Sequence, residues 1–226
     1  MSIWLRISEA LAALTKGEGL YAVFDRLSSP PEKTVAFTIA VIALGAKMAK
    51  ADGQVTKDEV VAFRRVFYIP ASEEAGAARV FNLARQDVSG FDHYARRITK
   101  MFGAGSDTLN DLLEGLFHIA MADGFYHPNE NKFLEEVSGI FGISEVHFKT
   151  LRARHVPNSD PDPFTVLGIK ETSDLDVVKS AWRRLVRESH PDIMMARGVP
   201  EEAVKLAEKR LIQINRAYEA ILAAHT

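Results

Sequence analysis

Apolar residues recur at helical spacing along almost the whole chain. Ile3, Ile7, Leu11 and Leu14 stand four, four and three apart, which predicts an amphipathic first helix. Ser28-Ser29-Pro30-Pro31 stops that segment, and Glu32 and Lys33 open a strongly apolar helix through Val35, Ile39, Ile42 and Met48. Its uncharged run, Thr34 to Ala46, has 13 residues. A membrane-spanning helix needs roughly 20 apolar residues, so this one is expected in a buried core. Asp52-Gly53 ends it, and Thr56-x-x-Glu59 has the spacing of a capping box, in which each side chain satisfies the other's free backbone N–H. Two more helices are expected between Ala71 and Phe102, before Gly103-Ala104-Gly105-Ser106 breaks the pattern again.

The arrangement then returns. An apolar helix through Leu109, Leu112, Leu116 and Met121 runs into Ala122-Asp123-Gly124 and His127-Pro128-Asn129-Glu130, as the earlier one runs into Ala51-Asp52-Gly53 and Thr56-Lys57-Asp58-Glu59. The two Asp residues lie 71 positions apart, and each precedes its Glu by seven. This pattern predicts an internal duplication of a helix–turn–helix pair, with both apolar helices at the centre of an all-α bundle. No strand-period alternation of useful length occurs.

His155 to Pro163 contains three prolines and no periodicity, which marks a linker. The expected organisation is a helical domain over 1–154, a linker over 155–162 and a second domain over 163–226. In the second domain Ser173 and Asp174 can cap a helix whose apolar face is Leu175, Val178, Ala181, Trp182 and Leu185. Its other face carries Lys179, Arg183 and Arg187 at i, i+4 and i+8, with Arg184 beside them. Pro191 disfavours helical geometry for His190, so the helix must end near Ser189. His190-Pro191-Asp192 is then a stiff exposed corner at the end of a basic stripe. Pro200, followed by Glu201 and Glu202, is expected to start a last helix, with Ala207, Leu211, Ile214, Tyr218 and Ile221 inward. The two helices can pack antiparallel and display the corner between them.

Residues 162–222 resemble a J domain. The resemblance rests on Pro163-Phe164-Thr165-Val166-Leu167-Gly168, on Lys179-x-Ala181-Trp182-Arg183-Arg184-Leu185, on the signature His190-Pro191-Asp192, and on Gln213-Ile214-Asn215-Arg216-Ala217-Tyr218-Glu219. The loop Ala196-Arg197-Gly198-Val199-Pro200 is similar to that of DjlA-type J proteins, whose upstream domain is TerB-like, and the repeated Asp-Gly turns fit that architecture. The fold implied is a pseudo-duplicated TerB-like helical bundle followed by a J-domain antiparallel helix pair.

The resemblance implies a co-chaperone that binds a DnaK-type chaperone and stimulates its ATP hydrolysis. By matched position Lys179, Arg183, Arg184 and Arg187 supply charge complementarity, His190 and Asp192 make the polar contacts, and Pro191 fixes the turn. The chain itself is not expected to be an enzyme: it has no G-x-x-x-x-G-K-[ST] loop, and the ATP belongs to the partner. Three features depart from the family pattern. Phe164 and Trp182 stand where tyrosine is usual, Ile193 replaces a common lysine, and there is no Gly/Phe-rich segment or zinc-binding cysteine domain. DjlA-type proteins also commonly carry an N-terminal membrane span, which this sequence does not show.

Composition narrows the picture further. The net charge of −2 gives no global attraction to nucleic acid or anionic membrane, and acidic and basic residues are balanced beyond residue 160, which disfavours a nucleic-acid-binding helix–turn–helix. The absence of cysteine excludes disulfides, thiol catalysis and thiolate metal sites. Arg6 and Glu9 interrupt any signal-peptide core. Together these lead to an expected cytoplasmic protein without a transmembrane anchor, whose N-terminal domain binds an unidentified client or ligand.

Asp52, Glu59, Asp123 and Glu130 are weak metal candidates. Gly-to-Glu spacing equals that of positions 6 to 12 in an EF-hand loop, but the earlier ligand positions fall on Met48 and Lys50, or Ile119 and Met121. Helix capping is the preferred reading, and no cofactor is expected, although a divalent metal in the N-terminal domain would fit the TerB-like resemblance. The alternative function is a metal- or stress-responsive TerB-like adaptor with a weak or vestigial J domain. His118, on an apolar helix, is expected to be a satisfied core residue, and the first helix with Trp4 a packing element.

Overall fold

A computed structural model describes residues 3–12, 20, 32–51, 74–86, 90–121, 124–156, 162–200 and 204–225. The ordered elements among them are all helices: α1 (Ile3–Ala12), α2 (Glu32–Ala51), α3 (Glu74–Gln86), α4 (Phe91–Phe102), α5 (Asp107–Ala120), α6 (Pro128–Ile140), α7 (Glu145–His155), α8 (Pro163–Leu167), α9 (Leu175–Glu188), α10 (Pro191–Ala196) and α11 (Val204–Ala224).

The two apolar helices of the repeat are the core, as the periodicity predicts. Every residue of α2 from Val35 to Met48 is buried, and α1, α3, α4, α5 and α6 all pack against it. A helix buried on every side has no solvent face to carry charge, which explains why the uncharged run is there. Its few polar groups are accounted for locally. Thr38 Oγ1 donates to Thr34 O at 3.1 Å, and Lys47 Nζ lies 5.2 Å from the centre of the Tyr94 ring, a cation–π contact. The counterpart α5 buries Leu109, Leu112, Leu113, Leu116 and Phe117.

Capping follows the sequence where the repeat's second turn is described. Gly124 takes φ +89°, Pro128 is the first residue of α6, and Glu130 Oε2 accepts from His127 N at 2.9 Å. Gly142, with φ +73°, lets the α6–α7 turn press on the α4–α5 turn. A Cβ there would lie 3.3 Å from both Ala104 Cβ and Gly105 N, where Gly105 N donates to Phe141 O at 2.7 Å.

The C-terminal helices form a second, smaller core from Val166, Leu167, Val178, Leu185, Ile214, Ala217 and Ile221. Asp162 caps α8 through Phe164 N and Thr165 N, Gly168 ends it at φ +69°, and Asp174 caps α9 through Val177 N at 2.8 Å. Trp182 stacks on Tyr218 with ring centroids 4.6 Å apart, and its Nε1 donates to Asn215 Oδ1 at 2.9 Å. Phe164 also packs against this core. Both departures from tyrosine therefore serve packing.

One difference in the elements from the sequence reading bears on function. His155, the first residue of the expected linker, is the last residue of α7 and its side chain is buried, because the helix ends only at Val156, the residue before Pro157. The stretch from Pro191 is a helical turn, α10. Pro200 is buried, and α11 is described from Val204, so the expected helix start at Pro200 falls next to residues outside the described ones.

The two cores are joined by a polar seam. Arg154 Nε of α7 donates to Val166 O of α8 at 2.9 Å, and Thr108 Oγ1 of α5 donates to Arg197 O at 2.9 Å. Arg197 lies 3.2 Å from Asp107 and 3.8 Å from Asp111. Arg210 of α11 reaches Asp111 Oδ1 at 2.7 Å and also donates to Glu114 Oε2. Beside these ion pairs Met194 of α10, Val199 of the following loop and Ala207 of α11 join the larger N-terminal core.

Candidate functional site

The candidate face is built on α9. Burying Val178, Ala181 and Leu185 turns the opposite side outward, and Lys179, Arg183, Arg184 and Arg187 are all exposed. They are not equivalent. Arg184 is 3.3 Å from Glu188, and both line a cleft of about 270 Å3 between the two cores.

α9 stops at Ser189, whose hydroxyl donates to Leu185 O at 2.6 Å, and His190 begins the next turn. His190 is the N-cap of α10, with its Nδ1 accepting from Asp192 N at 3.2 Å, and Pro191 follows at N1. The His190 and Asp192 side chains are 58% and 78% exposed, so both remain open to a partner. Ile193 and Met195 are exposed beside them, whereas Met194 is buried. The corner is therefore a capped helical turn with its polar side outward and one methionine pinned beneath.

Arg197 is the residue that sequence reasoning missed. It donates to Glu188 O at 3.5 Å, at the end of α9, while its guanidinium meets Asp107 and Asp111 of α5. One side chain thus ties the His-Pro-Asp corner to the first domain. Nothing in the local pattern of Ala196-Arg197-Gly198 signals a partner 90 residues upstream.

Of the acidic turn residues, Asp52, Glu59 and Asp123 lie outside the described residues. Glu130 is described and is engaged in the cap of α6, as the capping reading expects. A different group of potential ligands comes together on α5 and α7: Glu114, His118 and His155. His155 Nε2 is 2.8 Å from Glu114 Oε1, and the two imidazole rings meet edge to face at 4.5 Å. His118 Nε2 is buried without a hydrogen-bond partner, so His118 is not the satisfied core residue expected from its apolar helix. Burial, then the neighbouring His155 and Lys209, holds His118 well below its ordinary pKa; burial, Arg154 and Lys209 do the same to His155. The sequence signal was faint: Glu114 and His118 stand at i, i+4, but His155 sat in a stretch that read as linker.

Comparison with known proteins agrees with both halves. The family model described as tellurite resistance protein TerB matches residues 38–153, and the DnaJ domain model matches residues 162–225. Relatives named Co-chaperone protein DjlA include one from Salmonella paratyphi A, 25% identical over 98% of this chain and 97% of its own length. One from Escherichia coli K12 is 24% identical over the same shares, and one from Vibrio cholerae is 27% identical over 85% of this chain and 79% of its own length. No solved structure matches the chain significantly.

These relatives overturn the expectation of a cytoplasmic protein. They carry, over nearly the full chain, the name of a family whose members commonly have an N-terminal membrane span. No helix among the described residues is long and apolar enough to cross a membrane. That observation and the missing cysteines do not assign a compartment.

Proposed function

This chain belongs to the TerB family and carries a C-terminal DnaJ domain in the DjlA-type arrangement, and from that premise we propose that it is a co-chaperone of a DnaK-type partner. Its His190-Pro191-Asp192 corner binds the partner, and binding stimulates the partner's ATP hydrolysis. The observation that carries this reading is the pairing of an exposed, capped corner with the exposed cations of α9. Lys179, Arg183, Arg184 and Arg187 steer encounter and hold the docked geometry by charge complementarity. His190 and Asp192 make the polar contacts, and Pro191 fixes their turn.

The reaction takes place in the partner. Binding the hydrolysis-competent state more tightly than other states shifts DnaK towards it, with no bond made or broken by this chain. The N-terminal bundle supplies a second binding function, for a client or ligand of unidentified chemistry, and holds the corner at a fixed angle through Arg197 and Met194.

The test is steady-state ATPase of a cognate DnaK with increasing amounts of the full chain. Stimulation is expected with the wild type and its loss with His190→Gln. The melting temperature should fall only slightly, because the side chain is exposed and opens no cavity, although the Nδ1 cap of α10 is lost. Equal stimulation by the variant would overturn the docking mechanism.

A further inference from the structure

We propose that Glu114, His118 and His155 form a binding site for a zinc-type divalent transition metal at the seam between the two domains. The site uses none of the Asp-Gly turn carboxylates, and it goes beyond the co-chaperone reading without depending on it.

Geometry carries the inference. Glu114 and His118 stand one turn apart on the same side of α5, and His155 approaches from the end of α7, so two rigid helices hold the set. One donor atom from each residue lies within 4.8 Å of the other two. A tetrahedral ion with bonds of about 2.0–2.2 Å holds its ligand atoms roughly 3.4 Å apart, so the His155–Glu114 pair, at 2.8 Å, opens slightly while His118 closes in. His118 Nε2 is a buried nitrogen with no hydrogen-bond partner, a vacancy that costs stability unless something fills it. The Glu114 oxygen turned away from His155 is bonded by Arg210, which orients the carboxylate as outer partners of metal ligands do.

The chemistry selects the class of ion. Two neutral imidazoles and one carboxylate suit zinc, cobalt or nickel, whereas calcium and magnesium prefer an all-oxygen set. Coordination replaces the His155–Glu114 hydrogen bond, and the proton on Nε2 passes to Nδ1, so no net proton is released. Three protein ligands leave a fourth position open. His118 and His155 border a small cleft of about 160 Å3 that Arg154 and Lys209 also line. Those cations favour hydroxide or another small anion as the fourth ligand, and that anion together with the Glu114 carboxylate balances the ion's charge.

The test uses the full chain, stripped with EDTA and dialysed, titrated with zinc by calorimetry and with cobalt by visible absorption. One equivalent of zinc should bind and raise the melting temperature by several degrees, while calcium and magnesium should not. His118→Ala, at a partly exposed ring, should weaken zinc binding on the order of a hundredfold, and Glu130→Ala should leave it unchanged. No stoichiometric zinc binding, or full affinity in His118→Ala, would overturn the proposal. Should His118→Ala fail to fold, imidazole 15N shifts of the wild type decide. Zinc must move the His118 and His155 signals, and movement only at other histidines refutes the site.

Discussion

The outer face of α9 and the seam beneath α10 use the same kinds of side chain in opposite settings. On α9, Lys179, Arg183 and Arg187 keep their heads in water, where screening and side-chain freedom leave an ion pair worth about 0–1 kcal/mol. In the seam, Asp111, Glu114 and Arg210 are almost entirely buried, and each has lost its hydration. Burial raises the Asp111 pKa, while Arg210 and Arg197 pull against that rise. The contrast separates two tasks. Exposed charge can meet a partner without committing the fold, whereas buried charge fixes how the two domains face each other.

The largest expected effect lies in the seam. Arg210→Met leaves two carboxylates buried without their main partner and should cost about 3–5 kcal/mol in urea unfolding. Adding Asp111→Asn and Glu114→Gln should recover about half of that loss, since the remaining groups are neutral. A loss under about 1 kcal/mol for Arg210→Met would erase the distinction between the regions.

Next comes the exposed face. Arg183→Glu with Arg187→Glu should weaken binding to DnaK about tenfold at low salt, with the gap narrowing as salt rises. The unfolding midpoint should barely move, because neither side chain is buried. An equal loss at high salt would mean that shape rather than charge sets the contact.

The smallest effect is expected at Arg184. Its partner Glu188 and its place beside the inter-domain cleft divert it from the open face. Arg184→Ala should change DnaK affinity by no more than about threefold and stability by less than about 0.5 kcal/mol. A tenfold loss of affinity would return it to the same rank as Arg183 and Arg187.

The same contrast explains what the sequence disclosed. Helices α2 and α5 were legible because burial on all sides demands a long apolar run, and α9 because one buried stripe forces charge to the other face. The caps at Asp174 and Glu130 were legible because capping is settled within four residues. The seam was hidden because its partners are far apart in the chain: Arg210 meets Asp111 across 99 positions and Glu114 across 96. Periodicity carries no trace of such pairings. His155 was assigned to a linker because three prolines follow it, although the helix that holds it ends only there.

Met194 has a consequence for the idea that a J domain is an interchangeable cassette. It follows the His-Pro-Asp corner by two residues, yet its side chain is buried in the core of the other domain, together with Val199 and Ala207. Cutting the chain at residue 162 and grafting the C-terminal part onto another scaffold would bare this apolar patch and strand Arg197 and Arg210 without their acids. The transplant would carry the signature without its mounting. In this protein the portable unit is the J domain together with the receiving surface on α5.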